Sequence, residues 1–190
     1  MHFGAIPSTL SRHLCIDFVN SRFEDYRGRG QFIDRLELQE WRQWFASRCG
    51  LGQAPALDHE DHARLVEFRS YLRQQLELAR PPGRPALGVI NSYLASSAQW
   101  PELVAAGDGL RLQARWTQPG WSALVAVVAG SYARLLVDGT AGRVRVCANP
   151  ACTWMFVDDS PAGSRRWCDV AVCGNLVRVR RHRERQALQA

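Results

Sequence analysis

Four of the chain's six cysteines lie close together near its carboxyl end, and they form its densest group of potential metal ligands. They fall into two pairs, Cys147-x4-Cys152 and Cys168-x4-Cys173, which are separated by fifteen residues. Two close pairs joined by an insert of hairpin length are typical of a structural zinc site. Because four thiolates complete a tetrahedron around Zn²⁺, no coordination position is left for catalysis. We therefore predict one structural zinc ion at this site.

Clustered cysteines have other known uses. Buried free cysteines or a disulfide pair are the simplest alternatives, and the close pairing of the cysteines disfavours the first. A disulfide would need an oxidising compartment, but the start of the chain lacks the charged first segment and continuous apolar core of a signal peptide. A redox dithiol usually has Cys-x-x-Cys spacing, which neither pair has. An iron–sulfur cluster also uses four cysteines, yet neither ferredoxin-type run is present. The spacing favours zinc.

Arginines are concentrated in the same part of the chain. The net charge is +6, and from Arg143 onward nine arginines accompany four acids, which places a balance of +5 in the last quarter. Arg178, Arg181 and Arg185 recur at i, i+3 and i+7 and would form one helical stripe, with Leu176 and Val179 turned toward the zinc site. This pattern is typical of nucleic-acid binding, although a solvated helix that only aids solubility has the same composition. The candidate nucleic-acid contacts are Arg165, Arg166, Arg178, Arg180, Arg181, Arg183 and Arg185.

The elements that must position these groups are mainly helical up to about residue 140. Apolar residues at helical spacing predict helices around Trp41, Leu65 to Leu76, Ile90 and Trp121 to Leu136, and the last of these is the predicted centre of the core. Asp34 and Asp58 are predicted helix caps. The segment at 110–116, LRLQARW, alternates strictly and predicts a hairpin with residues near Leu103. The segment at 14–19, LCIDFV, fits either a strand or a helix.

A different kind of segment follows residue 142. RVRVC and TWMFV predict two short strands, and a basic helix is expected from Cys173 onward. We therefore predict a mainly α N-terminal domain with a small β-hairpin at 1–140, and a small α+β Cys₄ module at 143–188, in which a β-hairpin precedes the basic helix. A module this small buries too little surface to fold alone, so zinc would supply about 10 kcal/mol.

The motifs CANPAC, FVDDS, RRWC and CGN, in this order, resemble the CGNR zinc-finger family. Members of that family usually join the finger to a helical N-terminal domain called ABATE and are described as stress-induced transcription regulators. The N-terminal likeness rests on LCIDFVNS at 14–21, on the helix that contains Trp41 and on the order of the helices and hairpin. Carried over to this chain, the resemblance makes Cys147, Cys152, Cys168 and Cys173 the zinc ligands.

Two positions depart from the family pattern. Leu176 stands where the CGNR motif has its arginine, and Asp159 stands where a threonine is expected. If the family arginine contacts nucleic acid, that contact is lost here or is taken over by Arg178 or Arg180.

The resemblance also implies that the N-terminal domain binds a small effector. The candidate pocket residues are His13, Asp17, Asn20 and Trp41. The alternative, which we favour, is that Asp17 and Asn20 cap nearby backbone. We expect no enzyme activity, since no nucleophile, base and orienting group stand out together.

Together these features predict a transcription regulator that binds DNA through a zinc module and an arginine-rich helix. The alternative is a zinc-dependent interaction module that docks an acidic protein partner. A homodimer is compatible with either function, since many regulators are two-fold dimers. We expect a cytoplasmic protein with no membrane contact, because the longest apolar run, around Trp121 to Ala133, falls short of the roughly 20 residues that span a bilayer.

Overall fold

A computed structural model describes residues 13–24, 31–78 and 87–189. Helices in this part of the chain are α1 (Leu14–Val19), α2 (Gln39–Arg48), α3 (His59–Leu78), α4 (Leu87–Leu94), α5 (Trp121–Val137) and α6 (Asn175–Ala187). Strands are β1 (Arg22–Glu24), β2 (Phe32–Asp34), β3 (Gln99–Ala106), β4 (Gly109–Trp116), β5 (Val144–Val146) and β6 (Met155–Val157). The strands pair in sequence order as three antiparallel hairpins. This architecture confirms the predicted fold class.

Helix α5 lies at the centre of the core, as its composition predicted. It packs against α1, α3 and α4, and its inward face is formed by small and branched apolar residues such as Leu124, Val128 and Leu135. Helix α3 contributes the predicted stripe of Leu65, Phe68, Leu72 and Leu76. No helix among the described residues combines the length and apolar character needed to cross a membrane.

The ambiguous segment at 14–19 is helix α1. Cys15, Ile16, Phe18 and Val19 are all buried in it, so nearly every side of this short helix faces the core. A helix that is buried on most sides has no polar face to mark its period, which explains why neither a strand nor a helix pattern stood out. The Phe18 ring lies 5.8 Å from Phe45 and therefore ties α1 to α2.

Of the two predicted helix caps, the structure confirms Asp58 and changes the role of Asp34. Asp34 accepts a hydrogen bond from the Leu36 backbone N–H at 3.0 Å and caps a 3₁₀ turn at Arg35–Glu37. Helix α2 begins after this turn with Leu38 as its N-cap and without a side-chain cap, so Asp34 does not cap the helix that contains Trp41. Asp58 accepts from the Asp61 backbone N–H at 2.8 Å at the start of α3. The sequence RPPG at 80–83, whose prolines would end this helix, lies outside the described residues.

The β3–β4 hairpin forms as predicted, with Leu103 opposite Leu112. No described side chain of either strand is buried, and the hairpin has only sparse contacts with the other described elements. Leu103, Leu110 and Leu112 are 63%, 72% and 67% exposed. The alternation that predicted the strands therefore does not mark a core-facing side.

The C-terminal hairpin shares the core of the helical body. Val144 of β5 and Met155 of β6 are buried within the same cluster as α3 and α5, and the two strands contact α3 and α1 respectively. The expected boundary between residues 140 and 143 therefore divides the sequence without dividing the hydrophobic core.

Candidate metal centre and basic helix

Two loops and a short π turn bring the four clustered cysteines together. Cys147 follows β5, Cys152 precedes β6, Cys168 lies in the loop after β6, and Cys173 lies in a π turn at Val170–Gly174 that leads into α6. All four are buried, and their Sγ atoms lie within 4.8 Å of one another. The sequence pairs thus become one site with four sulfur donors.

The sulfur spacing fits a tetrahedral zinc ion. Cys168 Sγ lies 3.8 Å from Cys152 Sγ and 3.7 Å from Cys173 Sγ. Four sulfurs at the usual Zn–S distance of about 2.3 Å are about 3.8 Å apart, whereas a disulfide needs about 2 Å. All six cysteines are free thiols. The donor set therefore fits one structural Zn²⁺, as the sequence predicted.

Hydrogen bonds within the cluster set the acidity of its four thiols. They lower the pKa of Cys147 and Cys173 and raise the pKa of Cys152 and Cys168. The lowered values favour the thiolate form that zinc binds.

The two cysteines outside the cluster, Cys15 and Cys49, are controlled by burial instead. Burial raises the pKa of each to about 12. Both are thus buried, protonated core residues.

Asn149 supports the metal centre from inside the CANPAC motif. Its side chain is buried, its amide donates to Cys173 Sγ at 3.6 Å, and its Oδ1 accepts from the Ala151 backbone N–H at 3.2 Å. The motif was identified from the sequence, but no role was predicted for Asn149. An asparagine between two paired cysteines was the available signal, since a short polar side chain there can hydrogen-bond a sulfur or the loop backbone.

Gly174 of the CGN motif is required by a close approach of Trp167. A Cβ on Gly174 would lie 3.3 Å from Cδ1 of Trp167 and 3.5 Å from Cγ1 of Val170. The indole thus covers the turn that carries Cys173, and this close packing explains the glycine of the motif.

The FVDDS motif forms a second buried polar centre. Asp158 is fully buried and accepts hydrogen bonds from the backbone and hydroxyl of Ser160 and from the Arg165 backbone N–H. These bonds, the Ser160 hydroxyl foremost, hold the pKa of Asp158 below its usual value. Asp159, in the position where a threonine was expected, is exposed and lies 3.3 Å from Arg165 Nη1.

The structure separates the two arginines of RRWC. The Arg165 guanidinium turns into the finger, where Nε donates to the Trp167 carbonyl at 2.9 Å and Nη2 donates to the Cys168 carbonyl. It also lies 4.7 Å from the centre of the Phe156 ring. Arg166 is exposed, with its guanidinium 5.3 Å from the Trp167 ring. Arg165 therefore holds the metal loop, and only Arg166 faces solvent.

Helix α6 projects into solvent from the metal centre. Of its residues only Val177 is buried, and the five arginines that were predicted as nucleic-acid contacts in this helix are all exposed. The prediction that Leu176 and Val179 face the zinc site is wrong, since they are 39% and 48% exposed. Val177, in the first turn of α6, is instead the residue of this helix that turns away from solvent.

The N-terminal candidate residues are mostly buried and have structural contacts. Asp17 pairs with Arg48 at 3.0 Å, and Trp41 stacks on Phe45 with ring centres 4.8 Å apart. The backbone carbonyl of His13 accepts the first hydrogen bonds of α1. The structure places the Asn20 side chain against the C-terminal hairpin, so the favoured interpretation of a local cap is wrong for this residue.

Asn20 bridges the helical body and strand β6. Its amide donates to the Met155 carbonyl at 2.8 Å, and its Oδ1 accepts from the Met155 backbone N–H at 2.8 Å. Beside it, Thr153 accepts from the Glu24 backbone N–H through its hydroxyl and from Arg73 through its carbonyl. These contacts fix the C-terminal hairpin on the body.

An aromatic contact completes this junction. The Phe23 and Trp154 rings meet edge to face with centres 5.6 Å apart, and the Arg35 guanidinium lies over both rings. Burial lowers the pKa of Arg35 to about 10.

A basic cleft of about 260 Å³ opens next to this junction. None of the four predicted effector residues lines it. Its lining residues are Val19, Arg22, Phe32, Arg69, Ser70, Arg73 and Thr153.

Two family models match the chain in the order that the motifs predicted. Residues 12–139 match ABATE, described as "Putative stress-induced transcription regulator", and residues 143–186 match the CGNR zinc finger. The second match contains all four clustered cysteines. No curated protein matches the chain.

Proposed function

Because the chain belongs to the ABATE family of transcription regulators and ends in a CGNR zinc finger, we propose that it binds duplex DNA through helix α6. In this proposal Cys147, Cys152, Cys168 and Cys173 are the zinc ligands. The bound ion acts as a structural clamp that holds the loops of the finger together. We propose that the ABATE unit at 1–140 and the finger at 143–188 have separate functions, although they share one hydrophobic core.

The observation that carries the proposal is an exposed arginine helix that begins two residues after a proposed zinc ligand. Helix α6 has 13 residues and is therefore about 20 Å long, and its diameter suits the DNA major groove, which is about 12 Å wide. Its five arginines and one glutamate give a strongly positive surface. Since Cys173 lies in the π turn that leads into the helix, binding of the metal would fix where the helix starts.

We place the DNA contacts on the helix and on Arg166. Arg178, Arg181 and Arg185 form one stripe, and Arg180 and Arg183 widen it. Arg165 acts indirectly, because its guanidinium already binds two carbonyl groups of the finger. Leu176 leaves the first turn without the family arginine, so Arg178 is the first cation of the helix.

The test is duplex DNA binding by the zinc-loaded protein at several salt concentrations. If about five phosphates are neutralised, the slope of log K against log salt is about −4.5. Replacement of Arg178, Arg181 and Arg185 by alanine should bring the slope to about −2. Cys168→Ser should abolish binding together with zinc, whereas Cys49→Ala should retain both.

A matched control removes three exposed arginines elsewhere. Arg64, Arg111 and Arg115 lie on α3 and on the β3–β4 hairpin, so their replacement by alanine changes the net charge equally. This control should retain the wild-type slope. An equal loss in both triple variants would mean that only net charge matters. Absence of binding at low salt, with an acidic protein co-purifying, would favour the alternative of a protein-docking module.

The effector site stays a prediction. Asp17 lies in α1, and His13 and Asn20 flank this helix, while Trp41 lies in α2. Because α1 also contacts β6, a ligand that shifted α1 would act directly on the finger.

A further inference from the structure

One face of the β3–β4 hairpin is apolar and exposed. The register places Leu103 opposite Leu112 and Ala105 opposite Leu110, and neighbouring pairs alternate between the two faces, so these four side chains lie on one face with Pro101. The three leucines are between 63% and 72% exposed. The other face carries all the charged side chains of the two strands, and it is mixed: Glu102, Gln113, Arg111 and Arg115 lie there with Trp100 and Val104.

This arrangement is the reverse of an ordinary surface hairpin. A solvent-facing strand pair normally turns its polar side to water and its apolar side to a core. Here no described side chain of the hairpin is buried, and its contacts with the other described elements are sparse. Because an isolated two-stranded hairpin is only marginally stable in water, this apolar face requires a partner surface.

We propose that the partner is a second copy of this chain, and that two hairpins pack face to face in a homodimer. An antiparallel strand pair with an uncharged apolar face is complementary to itself under a two-fold axis. The charges of the hairpin, Glu102, Asp108, Arg111 and Arg115, sum to zero. Two copies of a chain with net charge +6 can therefore meet at the hairpin while their basic α6 helices stay apart.

The size of the face sets the expected affinity. Strands of eight residues are about 27 Å long, and two strands about 5 Å apart give a narrow strip. This strip is smaller than the roughly 800 Å² that each partner contributes to a standard stable interface. We therefore expect a dissociation constant in the micromolar range, with sheets that pack about 10 Å apart.

The test is sedimentation equilibrium of the zinc-loaded full chain without DNA, from about 5 to about 200 µM. The mass should rise from 21.4 kDa to twice that value. The double variant Leu103→Glu, Leu112→Glu should weaken association at least tenfold, since it places four carboxylates between the two faces. Circular dichroism and zinc content should stay as in the wild type, because neither leucine contacts the core or the metal site.

A matched control changes two exposed apolar residues elsewhere. Val137 and Leu188 are 81% and 88% exposed, and the variant Val137→Glu, Leu188→Glu should dimerise like the wild type. A chain that stays monomeric at about 200 µM would overturn the proposal. So would a dimer that the hairpin variant leaves intact. Neither result depends on DNA binding, so this proposal and the proposed function fail separately.

Discussion

Asp34, which is partly buried, and Arg69, which is buried, form an ion pair that joins strand β2 to helix α3. Arg69 Nη1 lies 2.7 Å from Asp34 Oδ1 and also donates to the Ser21 hydroxyl at 2.8 Å, while Nη2 binds Asp34 Oδ2. Burial alone would raise the pKa of Asp34, but the hydrogen bonds and charge of Arg69 outweigh it and lower the pKa below its usual value. The folded state therefore favours the ionised carboxylate.

The first prediction concerns Asp34→Asn. The variant should lose about 3 kcal/mol of stability at pH 7, because Arg69 keeps a buried charge without its partner. A lowered pKa contributes stability above the unfolded value of about 4, and this contribution is lost as the pH falls through the folded value. The stability difference should thus be constant from about pH 8 to pH 5 and narrow below about pH 4.

Urea unfolding of wild type and variant at each pH measures the difference in their free energies of unfolding. Loss of zinc in acid should affect both chains alike and therefore cancel in this difference. Glu60→Gln, which removes an exposed partner of Arg64, is the control and should cost less than about 1 kcal/mol. A difference that stayed constant down to pH 2 would show that the carboxylate charge is not responsible.

Single residues differed in how far the sequence could identify them. The four clustered cysteines were recognisable because their spacing is local and their chemistry is specific. Asn20 was misjudged because its partner, Met155, is 135 residues away, and no local pattern encodes that contact. Arg165 was grouped with the other arginines, since composition cannot separate a guanidinium that binds carbonyl groups from one that faces solvent.

Among the elements, strand β6 depends on a side chain from the helical body. Asn20 satisfies both the N–H and the C=O of Met155, and both bonds are buried. It therefore replaces a neighbouring strand at this point, because the hairpin to which β6 belongs has only two strands.

The second prediction concerns Asn20→Ala. Two buried backbone groups would lose their partners at about 1–3 kcal/mol each, so the chain should lose about 3 kcal/mol. Hydrogen exchange at the Met155 amide should accelerate most, with smaller effects in α5. Asn91→Ala on the exposed side of α4 is the control and should leave exchange at β6 unchanged. Unchanged protection of Met155 in the Asn20 variant would refute this role.

Secondary-structure elements were predictable from the sequence where one face is buried and the opposite face is exposed to solvent. Helices α3 and α5 and the cap at Asp58 follow directly from residue spacing. Helix α1 was ambiguous because it is buried on most sides, and the orientation of α6 was wrong because the preceding π turn sets which residue faces the metal. The β3–β4 strands were predicted from the alternation of apolar and polar residues. That alternation cannot show whether the apolar face packs against a core or is exposed, as it is here.

At the scale of the whole molecule, the metal centre and the hydrophobic core are mechanically connected. Val144 directly precedes the Arg145–Cys147 segment, and Met155 lies three residues after Cys152, so each of these core residues is tethered to a zinc ligand. The finger therefore cannot loosen without withdrawing two side chains from between the helices.

The third prediction is that zinc removal destabilises the ABATE helices as well as the finger. Addition of a strong chelator should lower the melting temperature of the whole chain in one transition, and amide exchange in α1 and α3 should accelerate along with that in β5 and β6. Restoring zinc should reverse both effects. Unchanged protection of α1 and α3 in the metal-free protein would instead show two independent folding units.

The shared core has a consequence for the life of the protein in a cell. Partly unfolded chains are degraded continuously, and a loss of a few kcal/mol changes abundance several-fold. If Val144 and Met155 leave the core when the cysteines lose the cation, a cell starved of zinc would clear the entire polypeptide, and the amount of this protein would follow the nutritional supply of the metal.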